Sequence, residues 1–314
     1  MIRNKLPIIC IMGATCTGKT DIAINLFKRF PVEIISVDSA MIYKEMNIGT
    51  DKPSIETLNS IKHHLINIRE PNEEYNVADF YNNIQVLVND IHSHNKIPLL
   101  VGGSLMYFNS LYTGLSNLPS KSTEERNILD HLMKKYSLKQ LHSCLKSLDL
   151  TSFGKIKSND KQRIQRALEV YMSTGEPMST LFKNKKSFFE SFDILTLKIF
   201  SSDRQVIHNK IETRMTNMFN RGFIEEVKYI IEKYDLTSNS QSMKILGYKH
   251  VLEHLVKNGD ISELKDRCLF ATRQLAKRQI TWLKQFPSTM DIDILDNDPT
   301  IIYKAVDSHC NLGQ

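Results

Sequence analysis

The sequence predicts an α/β protein built on a parallel sheet, with an all-helical domain inserted into it. Three observations carry this. Short continuous apolar runs at Pro7–Met12, Glu33–Val37 and Ile97–Val101 have the pattern of strands buried on both faces. Helical spacing fills the gaps between them, as in the crossovers of parallel strands. The alternation stops after Gly114, gives way to a helical stretch, and resumes with a strand at Ile194–Phe200.

Each element has its own reason. The first run follows a basic start and superficially resembles a secretion signal. It is too short for one and leads into a glycine motif, so it reads as a strand. A helix is expected over Asp21–Phe30. Asn76–His94 reads as the next helix, with Asn76 as N-cap and Asp79 three residues on. Its apolar residues Phe80, Ile84, Leu87, Val88 and Ile91 recur at helical spacing. Leu118–Glu190 is rich in Lys, Ser and Leu and has no strand pattern. Asp203–Arg221 is expected to be a helix closed by Gly222. Two further helices follow, the longer at Ser262–Gln285. The expected organisation is a core of 1–117 with 193–290, a helical insertion at 118–192, and a peripheral acidic tail at 291–314.

Composition narrows the function classes. The 314 residues carry 41 Lys+Arg and 35 Asp+Glu, a net charge of +6. Residues 1–120 have a net charge of −1, 121–190 of +6, 191–290 of +5 and the tail of −4. Two basic segments beside a near-neutral sheet portion suit a polyanionic partner. No run approaches the roughly 18 apolar residues of a membrane span. Five scattered cysteines without paired spacing fit a reducing cytoplasm and offer no zinc site.

Gly13–Thr20, GATCTGKT, matches the G-x-x-x-x-G-K-[ST] phosphate loop between a strand and a helix. Gly13 and Gly18 allow backbone angles and approaches that a Cβ would forbid. The loop N–H groups and the helix start cradle phosphate oxygens. Lys19 adds a mobile charge, and Thr20 offers a hydroxyl to Mg²⁺. The core is thus P-loop NTPase-like. The loop by itself names a polyphosphate ligand and no reaction.

Two more strand ends point at the same sheet edge, where open α/β sheets bind ligands. Asp38 follows the second strand. If that strand neighbours the first, Asp38 lies across from Lys19 and Thr20, as an outer-sphere Mg²⁺ ligand or a general base. An Asx-turn is the structural alternative. The third strand ends in Gly102, Gly103 and Ser104. Basic clusters lie elsewhere, with Lys161, Arg163 and Arg166 in one, and Lys244, Tyr248 and Lys249 around Gly247 in another. Arg273, Lys277 and Lys284 share a face of the long helix, with Leu275 and Trp282 opposite. Such stripes suit a phosphate backbone. Trp282 is expected in the core. Arg214 would suit a pyrophosphate or a surface ion pair equally.

Seven segments, in order, resemble the bacterial tRNA dimethylallyltransferase (isopentenyl-diphosphate:tRNA transferase) family. They are GATCTGKT, ISVDSAMIYKEMNIGTDKP, HHLINIREPNEEYNVADFY, VGGSLMYF, NDKQRIQRALEVY, LGYK and ATRQLAKRQITWLK, spanning Pro7 to about Gln285. The resemblance implies transfer of a dimethylallyl group from dimethylallyl diphosphate to the exocyclic amine of adenosine 37, just 3′ of the tRNA anticodon. Gly13, Ala14, Thr15, Cys16, Thr17, Gly18, Lys19 and Thr20 would hold the departing diphosphate, with Mg²⁺ at Thr20. Asp38 matches the proton acceptor, and Arg214 matches an arginine on the diphosphate. Ser104 stands where the family usually has threonine, near the amine.

The resemblance also implies tRNA contacts at Asp38, Ser39, Ala40, Met41 and Ser104. Arg126, Gln162, Arg163, Ile164, Gln165 and Arg166 fall in the segment resembling the anticodon-arm domain. Lys244, Gly247, Tyr248, Lys249, Arg273, Lys277, Arg278 and Lys284 complete the contacts. Departures are Cys16, where Ala or Ser is common, and LTSFGKIKSND before the insertion helix. Eukaryotic relatives carry a C-terminal zinc finger; only Cys310 stands here, so none is expected. The alternatives are a P-loop kinase of a nucleoside or small metabolite and an RNA-binding accessory protein. The expected partners are tRNA and dimethylallyl diphosphate, with no membrane and no obligate protein partner, for a cytoplasmic monomer.

Overall fold

The computed structural model describes residues 5–116, 118–119, 123–182, 186–257, 259–296 and 298–310. The chain forms two compact units, one of Met1–Tyr112 with Phe188–Gln314 and one of Thr113–Ser187.

The strands are β1 (Leu6–Gly13), β2 (Val32–Val37), β3 (His63–His64), β4 (Ile97–Gly102), β5 (Phe192–Phe200) and β6 (Met290–Asp293). They form one sheet in the order β3-β2-β4-β1-β5-β6, with every pairing parallel. The four expected strands are present. Two were missed: β3 has only two residues, and β6 reads Met-Asp-Ile-Asp, a polar edge strand without an apolar run. The second strand does not neighbour the first. β4 lies between them, with Met12 and Val37 both in register with Gly102.

The helices before the insertion are α1 (Lys19–Arg29), α2 (Ile55–Ser60), α3 (Val77–Ser93) and α4 (Leu105–Thr113). Asn76 caps α3 in a full capping box with Asp79, which satisfies N–H groups that a helix start leaves open. Phe80, Ile84, Val88 and Ile91 are its buried face. One apolar layer packs α3, α4 and the C-terminal helices on one side of the sheet; α1 and the chain end cover the other.

The second unit contains α5 (Thr123–Lys135), α6 (Leu138–Leu148), α7 (Leu150–Lys155), α8 (Lys161–Thr174) and α9 (Met178–Leu181). Leu129, Leu141, Leu145, Ile164 and Leu168 form its core. Glu169 is 1% exposed there and is held by Arg126 at 3.2 Å and Arg166 at 3.0 Å.

After β5 come α10 (Arg204–Asn220), α11 (Phe223–Tyr234), α12 (Tyr248–Lys257), α13 (Ile261–Leu283) and α14 (Thr300–Cys310). Asp203 caps α10 by accepting the Gln205 N–H. Three helices, not two, lie between Gly222 and Leu283; α12 is short and starts at the glycine of LGYK, which hid it. The acidic tail is not peripheral. It supplies β6 and then α14, whose Ile302 and Val306 are buried against the sheet while its one acid, Asp307, is exposed. Among the described residues, no helix is long and apolar enough to cross a membrane.

Candidate active site

The carboxyl ends of β1, β2 and β4 share one edge, and a cavity of about 540 Å³ opens over them. Its lining includes Thr15, Lys19, Thr20, Asp38, Lys52 and Arg214. The phosphate loop therefore meets Asp38, although β4 separates β1 from β2, and Gly102 and Gly103 at the end of β4 line the same cavity.

The loop is shaped by tight local geometry. Gly18 sits at φ +78 as the N-cap of α1, a conformation that costs other residues. A Cβ on Gly13 would lie 2.6 Å from the Ile199 carbonyl oxygen. Cys16 holds φ 63 without being glycine, so backbone strain is stored at the loop tip. Its thiol lines the cavity and lies 3.9 Å from Arg214. The Thr17 hydroxyl donates to the Ala14 carbonyl at 2.9 Å. Lys19 Nζ donates to the same carbonyl and lies 3.4 Å from Thr17 Oγ1. Burial lowers the Lys19 pKa to about 8, and the nearby Asp38 charge offsets part of that shift.

Asp38 Oδ1 accepts the backbone N–H of Ala40 at 2.8 Å and of Met41 at 3.3 Å. The Asx-turn anticipated as an alternative therefore exists. It occupies one oxygen; among the described residues none bonds Oδ2. Ser104 Oγ accepts the Ser39 N–H at 3.0 Å and donates to Ser39 Oγ at 3.2 Å. Asp38 and Ser104 are thus tied through one short loop. Arg214 on α10 reaches the site from across the chain. Its Nη1 donates to Thr15 Oγ1 at 2.8 Å, and its Nε lies 3.2 Å from Asp51 Oδ2.

Four residues of this site were not singled out from sequence. Asp51 orients Arg214. Lys52 is 7% exposed and donates to the Tyr43 carbonyl, to Asn67 Oδ1 at 2.6 Å and to Asn47 Oδ1 at 3.2 Å. All three acceptors are neutral, so its charge is not paired. Burial lowers its pKa to about 8, against the opposing pull of Glu226 and Asp38. Glu226 accepts N–H groups from Asn47, Ile48 and Gly49 at 2.8, 2.7 and 3.1 Å and the Tyr248 hydroxyl at 2.6 Å. Gln279 of α13 bonds Thr15 and Gly103. Asp51 and Lys52 lie in the GTDKP of a quoted motif, which was the available signal. Glu226 had none.

The residues expected to touch tRNA outside the cavity divide into exposed, buried and internally bonded groups. Lys161, Gln162, Arg163, Lys244, Lys249, Lys277, Arg278 and Lys284 are exposed. Ile164 and Tyr248 are fully buried and Gly247 is buried, so the first two side chains are core and not surface. Burial and the Glu226 charge push the Tyr248 hydroxyl well above its ordinary pKa. Arg126 and Arg166 serve Glu169, Gln165 bonds Asp130 at 3.3 Å, and Arg273 pairs with Glu212 at 2.9 Å. Trp282 is 36% exposed against Phe286 and is not a core residue, because the inward face of α13 runs through Cys268, Thr272, Ala276 and Leu283.

Comparison with known proteins agrees with this geometry. The family model described as IPP transferase matches residues 41–286. A tRNA dimethylallyltransferase of Nitrosospira multiformis is 39% identical over 292 residues, covering 93% of this chain and 90% of its own. One of Legionella pneumophila is 41% identical over 290 residues, covering 92% of each. The crystal structure of a tRNA isopentenylpyrophosphate transferase from Bacillus halodurans matches with TM-score 0.68 and 29% identity, covering 98% of this chain and 99% of that one. A eukaryotic dimethylallyltransferase described as acting on tRNA matches with TM-score 0.81 and 27% identity, over 96% of this chain and 78% of that one. Matched across nearly its whole length, with a phosphate loop and an aspartate at one sheet edge, the chain belongs to the IPP transferase family, the tRNA dimethylallyltransferases.

Proposed function

We propose that this chain transfers the dimethylallyl group of dimethylallyl diphosphate to the exocyclic amine of adenosine 37 in tRNA and releases diphosphate. The observation that carries the reading is the convergence of phosphate loop, Asp38 and Arg214 on one cavity, with Ser104 bonded to the residue after Asp38. Family membership favours it over the kinase alternative.

The amine nitrogen bonds to C1 of the prenyl group as the bond from C1 to the diphosphate oxygen breaks. That electron pair leaves with the diphosphate. The nitrogen's proton passes to Asp38, whose Oδ1 is held by two backbone N–H groups, leaving Oδ2 to accept it. Ser104 positions the amine by hydrogen bonding. The loop amides, Lys19 and Arg214 stabilise the charge that develops on the leaving group. Cations preorganised there cost no rearrangement at the moment of reaction.

Magnesium fits the donor chemistry of the edge. Thr20 and Asp38 line the cavity and offer oxygen only. That suits an ion held mostly by substrate phosphates. Thr20 would hold it, and it would supply charge neutralisation to the diphosphate.

Exposed cations at Lys161, Arg163, Lys244, Lys249, Lys277 and Lys284 engage the tRNA backbone. The target base leaves its stack at a cost of a few kcal/mol. The direct test is mass analysis of nucleosides from unmodified tRNA incubated with the protein, Mg²⁺ and dimethylallyl diphosphate. Prenylated adenosine is expected. Its absence, with the prenyl diphosphate untouched, would overturn the assignment.

A further inference from the structure

Gln279 lies in the cationic segment of α13, and its side chain touches both halves of the reaction site. Its Oε1 accepts the Thr15 backbone N–H at 2.9 Å, inside the phosphate loop. Its Nε2 donates to the Gly103 carbonyl at 2.8 Å, one residue before Ser104. The two partners lie 264 and 176 residues away in the chain. We propose that Gln279 is a positioning residue that sets the separation between the leaving-group site and the amine-activating site. This rests on the transferase reading above.

An amide meets the chemistry where a carboxylate or an ammonium does not. One partner is a fixed donor and the other a fixed acceptor, so the bridging group must accept at one end and donate at the other. Glutamate would set an oxygen against the Gly103 carbonyl. Lysine would set a donor against the Thr15 N–H. The amide orientation is fixed by the same argument, because a flip would oppose like groups at both ends.

Gly103 shows how closely the clamp is fitted. A Cβ there would lie 2.7 Å from Gln279 Nε2 and 3.2 Å from the Gly13 carbonyl oxygen. The turn can carry Ser104 to the edge only if its preceding residue leaves room for the amide. Thr15 is the second hub. Its N–H goes to Gln279 and its hydroxyl accepts from Arg214, so loop position and diphosphate-facing arginine are set together. Misplacing a reacting pair by about 1 Å costs on the order of 10²-fold in rate. The clamp therefore acts on the chemical step more than on tRNA affinity.

The experiment compares wild type with Gln279→Met, close in shape but unable to make either bond, and Gln279→Glu, which keeps only the acceptor. Single-turnover prenylation, tRNA affinity and affinity for inorganic diphosphate without tRNA are read for each. The single-turnover rate should fall about 10- to 100-fold in both variants, with tRNA affinity changed less than about threefold. Gln279→Glu should also bind diphosphate more weakly than Gln279→Met. Gly103→Ala is a second perturbation of the same contact and should be non-additive with Gln279→Met. A Gln279→Met rate within about twofold of wild type overturns the proposal, as does a loss confined to tRNA affinity. An inactive wild type that still binds diphosphate would count against the transferase reading alone.

Discussion

Replacing Glu226 by glutamine tests how the C-terminal helices hold the site. Glu226 Oε2 accepts the Asn47 and Ile48 N–H groups, while Oε1 accepts the Gly49 N–H and the Tyr248 hydroxyl. Glutamine has one acceptor oxygen. Placed at Oε2, it keeps the first two bonds, and its NH₂ then faces the Gly49 N–H donor to donor. Tyr248 must turn from donor to acceptor, and being fully buried it has no water to use instead. An unpaired part-buried N–H costs about 1–3 kcal/mol, and the two retained bonds lose their charge assistance, so about 2–3 kcal/mol is expected in all. For a unit of this size that lowers Tm by roughly 4–12 °C. The same loop sends Asp51 to Arg214 and Lys52 into the cavity. KM for the prenyl diphosphate should therefore rise about 3- to 10-fold, with a smaller change for tRNA. Thermal melts and steady-state kinetics measure both. A Tm within about 1 °C of wild type would show that the carboxylate does not carry the loop.

Three other outcomes are expected. Asp38→Asn keeps an acceptor for Ala40 and Met41 but no proton-accepting carboxylate, so kcat should drop about 10²- to 10⁴-fold with tRNA binding preserved; a kcat near wild type would remove Asp38 as the base. Lys19 and Lys52 both have pKa values lowered to about 8, so the cavity loses positive charge as pH rises through that value. Affinity for a non-reactive thio analogue of the prenyl diphosphate should then weaken by up to about tenfold per pH unit per lysine, and Lys52→Met should make the profile shallower. The stability effect has the opposite sign: unfolded lysines keep their protons to about 10.5, so the folded state gains as pH climbs from about 8. A flat titration would contradict the burial of these charges. Finally, Lys161→Ala with Arg163→Ala should reduce the salt slope of tRNA binding by about 1.4–1.8, whereas Arg166→Ala should chiefly destabilise the helical unit by stripping buried Glu169; an unchanged slope in the first variant would separate that helix start from the phosphates.

Sequence made the sheet legible where burial is two-sided. β1 and β4 carry no charged or hydroxyl residue, and β2 and β5 are mostly apolar with a few polar residues, because helices cover both faces. The edge strands escape that rule. β3 is two histidines and β6 alternates acid with apolar, since an edge strand needs only one buried side. The order β2-β4-β1 was equally hidden, because strand order is set by which faces the crossover helices cover and not by any local pattern. The site does not need β1 and β2 to be neighbours: register aligns Met12, Val37 and Gly102, so all three loops leave from one edge.

The residues that sequence missed share a physical character. Phosphate loop, aspartate and serine announce themselves because chemistry fixes their types at the ends of strands. Glu226 and Gln279 act on backbone N–H and C=O groups, which every residue type offers, so nothing in their partners' identities marks the contact. Charge reading misled in the same way. Helix α13 turns 200° between Lys277 and Gln279, so its cations face solvent while the amide faces the loop. Arg126 and Arg166 look like the exposed Arg163 in sequence, yet they are committed to one buried glutamate. A basic helix is therefore evidence for RNA only in the residues whose charges are not committed to a buried partner. By that criterion Lys161 and Lys277 carry the RNA reading, and Arg126 and Arg166 carry the fold that presents it.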